Sequence, residues 1–316
     1  MMILGFDIGG TKCAVIVAEW DGKEVKLLAK EKCLTVFSIA PETMIDNLIN
    51  IADRLIGDGT IEAVGISCGG PLDSKAGVIM GPPNLPGWNN VEIVKQIKKH
   101  YNVPVHLQND ANACAVAEWK FGAGRGSDNM IFMTFGTGLG AGLILDGKLY
   151  SGTNDNAGEA GHIRLERTGP VGFGKAGSFE GFCSGSGIAQ LGYILALEQI
   201  QQGNYPLYFK PGMTAEKVTA KMVADAADAG DITAMKVYEL CGEYLGRGLS
   251  ILIDILNPQK IVIGSIFARR RDLLWEATKR VIENEALSPA ADVCEVVPAE
   301  LGENIGDFGA IATALL

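Results

Sequence analysis

The chain has 316 residues, 47% apolar and 20% charged, a balance that is typical of globular proteins and excludes an intrinsically disordered chain. Its net charge of −10 argues against a surface for duplex nucleic acid, and its apolar runs are too short to span a bilayer. The N-terminus does not resemble a signal peptide, and seven scattered cysteines without a Cys-x-x-Cys pair predict buried thiols in a reducing cytoplasm.

The chain opens with a predicted hairpin, in which residues 3–17 read as an apolar strand, a glycine turn and a second strand, ILGFDIGGTKCAVIV. Glycine lets backbone N–H groups approach an anion closely, because no Cβ stands in the way. Asp7 ends the first strand beside the glycines, where a carboxylate either holds Mg²⁺ through water or caps the turn. Lys12 is close enough in sequence to meet a phosphate.

Helices and strands alternate after this hairpin. The apolar pattern predicts, in chain order, a helix (41–56), a buried strand (61–68), a short amphipathic helix (91–100) and a strand (103–107). Loops at the ends of strands in α/β sheets often bind ligands. Residues 81–89, GPPNLPGWN, predict a rigid loop that presents the amide of Asn84 and the ring of Trp88; a proline-stiffened connector is the alternative.

The next helix begins within the motif QNDANA at residues 108–113. An aspartate at a strand-to-helix turn is usually an N-cap, but it serves as a general base if a substrate hydroxyl lies within hydrogen-bond reach. Spacing alone leaves both roles open for Asp110, while Asn109 and Asn112 on either side are suited to orient a sugar. A glycine-rich segment at residues 122–126 then marks a joint between two halves of the chain.

A second predicted hairpin follows at residues 131–145, IFMTFGTGLGAGLIL, at an offset of 128 positions from the first. At this offset Gly138 aligns with Gly10, which suggests an internal repeat and two like domains that face a cleft. The glycine pattern alone is a weak signal, since it matches neither the P-loop nor the dinucleotide fingerprint. A tight hairpin without a ligand is the alternative.

Glu159 and His162 lie just beyond this hairpin, between glycines, in the segment Ala157-Gly-Glu-Ala-Gly-His162. A carboxylate and an imidazole at this spacing suit either recognition of hydroxyl groups or metal ligation. A phosphate loop and a polar site so close in sequence suggest phosphoryl transfer to a small polar molecule. The remaining pattern predicts helices (184–200, 214–228, 232–256 and 305–316), an exposed loop (203–213) and a strand (260–263).

The order and spacing of five motifs resemble, nearly end to end, those of the ROK family of sugar kinases. The motifs are Asp7-Ile-Gly-Gly-Thr-Lys12 and Gly136-Thr-Gly-Leu-Gly140 for phosphate, Asn109-Asp-Ala-Asn112 for the base, Gly158-Glu-Ala-Gly-His162 for sugar, and the C-terminal NPQKIVIG at 257–264. The resemblance implies an actin/hexokinase-like (ribonuclease H-like) α/β ATPase fold with two similar domains around a cleft. It implies a small N-terminal domain of residues 1–115 joined by a C-terminal helix at about 303–316, and a larger domain of residues 116–302.

The resemblance also implies roles for particular residues. Asp110 matches the catalytic base that takes the proton from the attacking sugar hydroxyl. The residues that match hexose contacts are Asn84, Asn109, Asp110, Glu159, His162 and Glu180. The residues that match the site for ATP and Mg²⁺ are Asp7 (Mg²⁺ through water), Gly9, Gly10, Thr11, Lys12, Gly136, Thr137, Gly138, Gly264 and Ser265. Ser265 departs from the family, which usually has a second glycine in this turn near the adenine.

A second departure lies between His162 and Glu180. Many family members have a Cys-x-Cys-Gly-x-x-Gly-Cys-x-Glu zinc loop here, with the histidine as the fourth ligand. This chain keeps the glycines and the glutamate in residues 171–180, VGFGKAGSFE, but has apolar residues or serine at the cysteine positions. Structural zinc takes four nitrogen or sulfur ligands, so no structural zinc is expected. Apolar packing of Val171 and Phe173 is the expected substitute.

The resemblance therefore implies a cytoplasmic, ATP- and Mg²⁺-dependent kinase that phosphorylates a hexose or N-acylhexosamine at the 6-hydroxyl. Glucokinase, N-acetylglucosamine kinase and N-acetylmannosamine kinase are the types implied, and a homodimer or homotetramer without nucleic-acid or membrane partners is expected. The alternatives are a ROK-type sugar-responsive transcriptional regulator and a non-catalytic sugar-binding protein. Because the first phosphate strand begins at Ile3, no N-terminal helix-turn-helix domain is expected.

Overall fold

The computed structural model describes residues 1–210 and 212–316. Pro211, within the predicted 203–213 loop, lies outside the described residues. The described chain packs into two compact units, the first formed by Met1–Asp128, Gly142–Ala157 and Glu300–Leu316, the second by Asn129–Ala141 and Gly158–Ala299. Across the described residues, every helix is too short or too polar to traverse a lipid bilayer.

The strands and helices are bounded as follows. The strands are β1 (Met2–Ile8), β2 (Lys12–Trp20), β3 (Val25–Leu34), β4 (Ala63–Cys68), β5 (Leu72–Asp73), β6 (Val78–Ile79), β7 (Val105–Asn109), β8 (Met130–Phe135), β9 (Leu139–Leu145), β10 (Lys148–Tyr150), β11 (Val171–Gly172), β12 (Lys175–Ala176), β13 (Lys260–Ile263) and β14 (Glu295–Pro298). The helices are α1 (Pro41–Ile56), α2 (Ile93–His100), α3 (Asp110–Phe121), α4 (Phe179–Phe182), α5 (Gly185–Gln201), α6 (Ala220–Asp228), α7 (Ile232–Leu256), α8 (Ile266–Glu285), α9 (Ser288–Ala291) and α10 (Ile305–Thr313). Short 3-10 turns occupy Ala160–His162, Ala215–Lys217 and Gly302–Asn304.

Two five-stranded sheets follow the same plan. Their strand orders are β3-β2-β1-β4-β7 and β10-β9-β8-β13-β14. In the first sheet β1 pairs with β2 antiparallel and with β4 parallel, and in the second β13 pairs parallel with both β8 and β14. Met2 and Met130, which open β1 and β8, are separated by the 128-position offset seen in the sequence. The predicted repeat of hairpins is therefore confirmed at the level of topology.

In the first unit, helices cover both faces of the sheet. One face packs against α1 and α2 over a large apolar core, while the other packs against α3 and α10. This explains why β4 is buried at every residue. The approach of α10 requires Gly65, because an added Cβ would meet the carbonyl oxygen of Ala310 and come within 2.5 Å of the nitrogen of Ala314.

In the second unit, the long helix α7 packs closely against α8. A Cβ added at Gly242 would lie 2.6 Å from the carbonyl oxygen of Leu274, and one at Gly246 would lie 2.7 Å from that of Thr278. A third glycine of α7, Gly248, faces the ring of Phe179 at the start of α4. Gly242 and Gly246 therefore set the spacing between α7 and α8, while Gly248 makes room for the ring of Phe179, the residue before Glu180.

Most predicted elements are confirmed, and several expectations are wrong. The helices at 41–56 and 232–256 and the strand at 260–263 match at both ends. The helix predicted from residue 214 begins only at Ala220, because the Thr219 side chain caps it by accepting from the amide of Met222 at 3.2 Å. Trp88 is not presented to a ligand; it is 2% exposed and lies in the core of the first unit. Two more concern the cap of α3 and the packing of Val171 and Phe173, and both are described with the site below.

Candidate active site

The first glycine turn joins β1 to β2 and is held by Thr35. The amide of Gly9 donates to the carbonyl of Lys12 at 3.1 Å, which closes the turn. The Thr35 hydroxyl donates to the carbonyl of Gly9 at 2.6 Å, and the Thr35 amide donates to the carbonyl of Thr11 at 3.1 Å. The backbone of this turn, from Gly9 to Lys12, is thus held by the residue that follows β3.

Asn84 packs between this turn and the loop after β4. A Cβ added at Gly10 would meet the carbonyl oxygen of Asn84 and lie 3.0 Å from its Cβ. A Cβ added at Gly69 would lie 3.1 Å from the Asn84 Oδ1 atom. The side chain of Asn84 is exposed to solvent. In the first unit, a predicted sugar contact therefore lies against a predicted phosphate turn.

Three carboxylates give the region around Asp7 a negative charge. Burial, with repulsion from Asp307 and Asp110, raises the pKa of Asp7 from 3.8 to about 6, although Lys30 and Lys32 oppose the rise. Lys30 forms an ion pair with the buried Asp307. Mg²⁺ prefers oxygen ligands and commonly binds through one or two carboxylates plus substrate phosphates, so this environment fits the predicted ion.

In the absence of divalent cations, the charge on Asp7 is expected to lower the free energy of unfolding of the protein. A pKa raised from 3.8 to about 6 corresponds to about 3 kcal/mol against the charged form. Asp7→Asn should therefore raise the urea midpoint at pH 7.5 in EDTA, because it removes a carboxylate that is charged above pH 6. The gain should fade as the pH is lowered through 6 and disappear below 3.8, where wild-type Asp7 is protonated in both the folded and the unfolded state.

Asp21→Asn is the control for this measurement, because its effect should have the opposite sign. Backbone amides of Glu24 and Lys23 lower the pKa of the exposed Asp21 carboxylate, so its charged form is favoured by folding. A midpoint for Asp7→Asn that does not exceed that of wild type at pH 7.5 would contradict the argument.

Asn109, rather than Asp110, caps helix α3. The Asn109 Oδ1 atom accepts from the amide of Asn112 at 2.8 Å, and Asp110 is the first helical residue. The capping interpretation of Asp110 is therefore wrong. Asp110 is exposed at the helix N-terminus, yet desolvation by the protein packed around its carboxylate raises its pKa. Among the described residues, the carboxylate accepts from the amide of Ala111 at 2.8 Å. A solvent-accessible carboxylate at a helix N-terminus is available to accept a proton from a ligand.

The second glycine turn joins β8 to β9 in the second unit. The amide of Gly136 donates to the carbonyl of Gly138 at 3.0 Å. The Oε2 atom of Glu180 accepts from the amide of Leu139 at 2.9 Å, and a Cβ added at Gly138 would lie 2.7 Å from this oxygen. The exposed Thr137 accepts through its carbonyl from the Ser186 hydroxyl at 3.1 Å. Glu180, a predicted sugar contact, thus lies against the repeat partner of Gly10.

Glu159 precedes the short turn Ala160–His162, and His162 ends it. The amide of His162 donates to the carbonyl of Glu159 at 3.1 Å, and both side chains are exposed. The turn lies close to β9, because a Cβ at Gly161 would meet the carbonyl oxygen of Leu139 and approach the Glu180 Cβ at 3.3 Å. The second unit therefore brings Glu159, His162 and Glu180 to the neighbourhood of its glycine turn.

A small hairpin of β11 and β12 occupies the place of the zinc loop. The expectation that the side chains of Val171 and Phe173 pack inward is wrong, since they are 46% and 83% exposed. Polar contacts hold the hairpin instead: Gln190 exchanges two hydrogen bonds of 2.9 Å with the backbone of Val171, and Lys175 donates to the carbonyl of His162 at 2.7 Å. A pattern of apolar residues did not predict this backbone support.

Absence of structural zinc remains a prediction for the purified protein. Within residues 1–210 and 212–316, no group of three or more His, Cys, Asp or Glu side chains is arranged to hold a metal ion. Elemental analysis after gel filtration, without prior chelation, should find well under one zinc per chain. One tightly held zinc per chain would contradict the prediction.

Ser265, between β13 and α8, has a strained backbone. Its φ of 54° and ψ of −114° lie in a region that favours glycine. Gly264 before it is buried. A Cβ added at Gly136 would lie 3.8 Å from the Ser265 hydroxyl oxygen, so this turn and the second glycine turn are neighbours in the second unit.

Ser265→Gly is expected to raise the free energy of unfolding by about 1 kcal/mol, because it removes the strain of a side chain at positive φ. Urea unfolding of the variant measures this gain. Asn257→Gly is the matched control, since Asn257 has a φ of 44° and ψ of 55°, a left-handed conformation that asparagine tolerates. Equal effects at the two positions would contradict the assignment of strain to Ser265.

Two residues that support this site were not predicted from the sequence. Thr35 fixes the first glycine turn, and Asp307 contributes to the charge around Asp7. Thr35 lies 26 positions after Gly9, and Asp307 lies 277 positions after its partner Lys30. A carboxylate within the otherwise apolar helix α10 was the one local signal for Asp307.

Comparison with known proteins assigns the chain to a family. A model of the ROK family matches residues 3–315. The chain belongs to the ROK family. Over 311 residues it is 30% identical to a glucokinase from Thermotoga maritima, with 98% of this chain and 96% of the relative covered. It is also 25% identical to the xylose repressor from Bacillus subtilis, with coverage of 97% of this chain and 75% of the repressor.

Solved structures of the ROK family confirm the predicted fold. The structure of a ROK family glucokinase from Streptomyces griseus, in complex with glucose and AMPPNP, matches with a TM-score of 0.75 at 29% identity over 100% of this chain and 99% of that one. The fold is thus the actin-like ATPase fold of ROK hexokinases, a mixed α/β architecture with two sheet domains. This ROK protein is thus similar both to glucokinases and to xylose repressors.

Proposed function

We propose that this ROK protein is an ATP-dependent kinase that transfers the γ-phosphoryl group to the 6-hydroxyl of a hexose or N-acylhexosamine. The observation that carries the proposal is the state of Asp110. Asn109 caps α3 in its place, so the carboxylate of Asp110 stands at the helix terminus, where it accepts from the amide of Ala111. The glucokinase from Thermotoga maritima, 30% identical, supports a sugar as the acceptor.

Asp110 is assigned the role of general base. Phosphoryl transfer needs mainly positioning and neutralisation of charge, with one group to orient the nucleophile and accept its proton. The raised pKa that burial gives Asp110 makes its carboxylate a better proton acceptor than a fully solvated aspartate. The proposed reaction moves the hydroxyl proton to Asp110 as the sugar oxygen bonds to the γ-phosphorus and ADP leaves.

The remaining residues of the predicted site are assigned to the sugar, the nucleotide and Mg²⁺. The proposed sugar contacts are Asn84, Asn109, Glu159, His162 and Glu180, whose amides, carboxylates and imidazole suit the paired donors and acceptors of ring hydroxyls. The proposed nucleotide contacts are Gly9, Gly10, Thr11, Lys12, Gly136, Thr137, Gly138, Gly264 and Ser265. Asp7 is proposed to hold Mg²⁺ through water, and the ion would neutralise charge on the ATP phosphates.

ADP release from Mg·ATP by the purified protein tests the proposal. The panel contains glucose, fructose, mannose, allose, N-acetylglucosamine and N-acetylmannosamine, with 6-deoxyglucose as the matched control that lacks the accepting hydroxyl. One sugar should exceed the others in kcat/KM by about 100-fold or more, because a site built for its hydroxyl and amide groups leaves polar atoms unpaired with the others. No turnover with any sugar would overturn the proposal.

A regulator is the second candidate, favoured by the similarity to the xylose repressor from Bacillus subtilis. A gel-shift titration with DNA from the upstream region of its own gene, with and without the sugars of the panel, tests it. Sugar-sensitive, sequence-specific retardation without ADP release would favour the regulator. Sugar binding measured by calorimetry, with neither ADP release nor retardation, would favour a non-catalytic sugar-binding protein.

A further inference from the structure

Asp155 links two loops of the first unit. It lies after β10, in the segment Gly142–Ala157 of this unit. Its carboxylate accepts two hydrogen bonds from Ser74, one from the amide at 2.7 Å and one from the hydroxyl at 2.7 Å. Each oxygen of the carboxylate is used, Oδ2 by the amide and Oδ1 by the hydroxyl. We call these two hydrogen bonds the Asp155–Ser74 latch.

The backbone of Asp155 is held in a conformation that disfavours most side chains. Its φ is 60°, in the left-handed region that few residues other than glycine, asparagine and aspartate adopt. Hydrogen bonds to a carboxylate are roughly twice as strong as those between neutral groups, so the latch offsets this cost. An aspartate is therefore used here for its side chain, since glycine would satisfy the backbone alone.

A hydrogen-bonded turn follows Ser74, which is the donor in the latch. Ser74 follows β5, in the tight connection to β6. The Asp73 side chain accepts from the amide of Ala76 at 2.8 Å, and the Asp73 carbonyl accepts from the amide of Gly77 at 2.9 Å. The loop that contains Asp155 is thus hydrogen-bonded to the turn between β5 and β6.

The latched loop contacts Asn109, which precedes the proposed base. The Asn109 Nδ2 atom donates to the carbonyl of Asp155 at 3.5 Å, while its Oδ1 atom accepts from the amide of Asn112 at 2.8 Å. The two ends of the amide therefore have different partners, which fixes which end is Nδ2. Within residues 1–210 and 212–316, one N–H of Nδ2 meets the Asp155 carbonyl, which leaves the other for a ligand at a position set by the latch.

We propose that Asp155 is a positioning residue for the acceptor sugar, acting through Asn109. The latch to Ser74 holds the Asp155 carbonyl in place, this carbonyl orients the Asn109 amide, and the remaining N–H of that amide donates to a sugar hydroxyl. The inference rests on the proposed function for its kinetic consequence. The latch itself is a structural claim that is measured separately.

Three variants separate the latch from the backbone strain. Asp155→Gly keeps positive φ accessible and removes the carboxylate, and Ser74→Ala removes the hydroxyl donor alone. Asp155→Asn keeps an oxygen that accepts from the Ser74 amide and an N–H that donates to the Ser74 hydroxyl, so it should rescue. Asp146→Gly is the control, since Asp146 is an exposed aspartate of the first unit with a φ of 51°.

Two readouts are used on the full chain. Hydrogen exchange should show the Ser74 amide exchanging faster by about tenfold or more in Asp155→Gly, because its acceptor is gone. Steady-state kinetics should show the KM for the sugar raised about tenfold in Asp155→Gly, with kcat and the KM for ATP within about twofold of wild type. Ser74→Ala should give a smaller rise, and Asp155→Asn and Asp146→Gly should match wild type.

The outcomes distinguish the latch from the proposed function. Unchanged exchange of the Ser74 amide in Asp155→Gly would overturn the latch. Faster exchange with an unchanged KM for the sugar would overturn the positioning role, as would an equal rise in Asp146→Gly. If the wild-type protein binds a sugar without turnover, the proposed function fails, and the Kd by calorimetry replaces KM: a rise of about tenfold in Asp155→Gly still supports the inference. Wild-type protein that binds no sugar overturns both.

Discussion

Asp110→Asn is expected to lower kcat by about 10²- to 10⁴-fold, the contribution that a general base commonly makes. Asparagine has nearly the same size and shape, and its Oδ1 atom still accepts from the amide of Ala111, a contact of 2.8 Å in the wild-type protein. The cap of α3 is also unaffected, because it belongs to Asn109. The loss should therefore appear in turnover, while the Kd for the sugar by calorimetry stays close to that of wild type.

Asp46→Asn is the matched control for this loss. Asp46 is an exposed aspartate of α1 that accepts from the Gln96 amide at 2.7 Å, and asparagine retains an acceptor there. The control should leave kcat unchanged. Turnover of Asp110→Asn near that of wild type would refute the base assignment, and a large loss of sugar affinity would instead make Asp110 primarily a binding residue.

The pH profile supplies a second measurement on the same residue. Burial raises the pKa of Asp110 above the ordinary value of an aspartate, so the base is protonated and inactive over a wider acidic range. The acid limb of kcat/KM for wild type is therefore expected at a higher pH than an ordinary aspartate would give. Burial also raises the pKa of Asp7, to about 6, so the limb reports both carboxylates.

Elements with strong periodicity or local caps could be predicted from the sequence. Helix α7 begins where Asp231 caps it, with its side chain accepting from the amide of Ala234 at 2.8 Å, and ends at Asn257 in the left-handed conformation. Both signals are local, so residues 232–256 were predicted at both ends. The paired glycine turns were predictable for the same reason, because their strands and glycines repeat at a fixed offset.

Burial of individual loop residues could not be predicted, since it depends on distant parts of the chain. Trp88 and Phe173 are both aromatic residues beside glycine, yet one is 2% exposed and the other 83%. The choice of cap was also beyond the sequence, because Asn109 and Asp110 are adjacent and both residue types cap helices. The residue at which β7 ends decides between them. The contact between Ser74 and Asp155 was likewise not predictable, because the two residues are 81 positions apart in the chain.

Gly10→Ala is expected to lower kcat/KM by about 100-fold or more, since a displacement of about 1 Å in a positioned group can cost this much. The added methyl would meet the carbonyl oxygen of Asn84, a backbone atom that cannot rotate away. Either the first glycine turn or the Asn84 loop must therefore move. The KM values for ATP and for the sugar should both rise, because Gly10, a proposed nucleotide contact, packs directly against Asn84, a proposed sugar contact.

Gly138→Ala is the matched variant at the equivalent position of the repeat, and its effect should be smaller. There the methyl would lie 2.7 Å from Oε2 of Glu180, the far end of a flexible side chain. Glu180 can rotate, although it then loses the hydrogen bond of 2.9 Å from the amide of Leu139, which costs about 1.5–3 kcal/mol for a charged acceptor. Kinetics and thermal unfolding of both variants test the comparison. An effect of Gly138→Ala on kcat/KM that equals or exceeds that of Gly10→Ala would show that backbone rigidity is not what distinguishes the two turns.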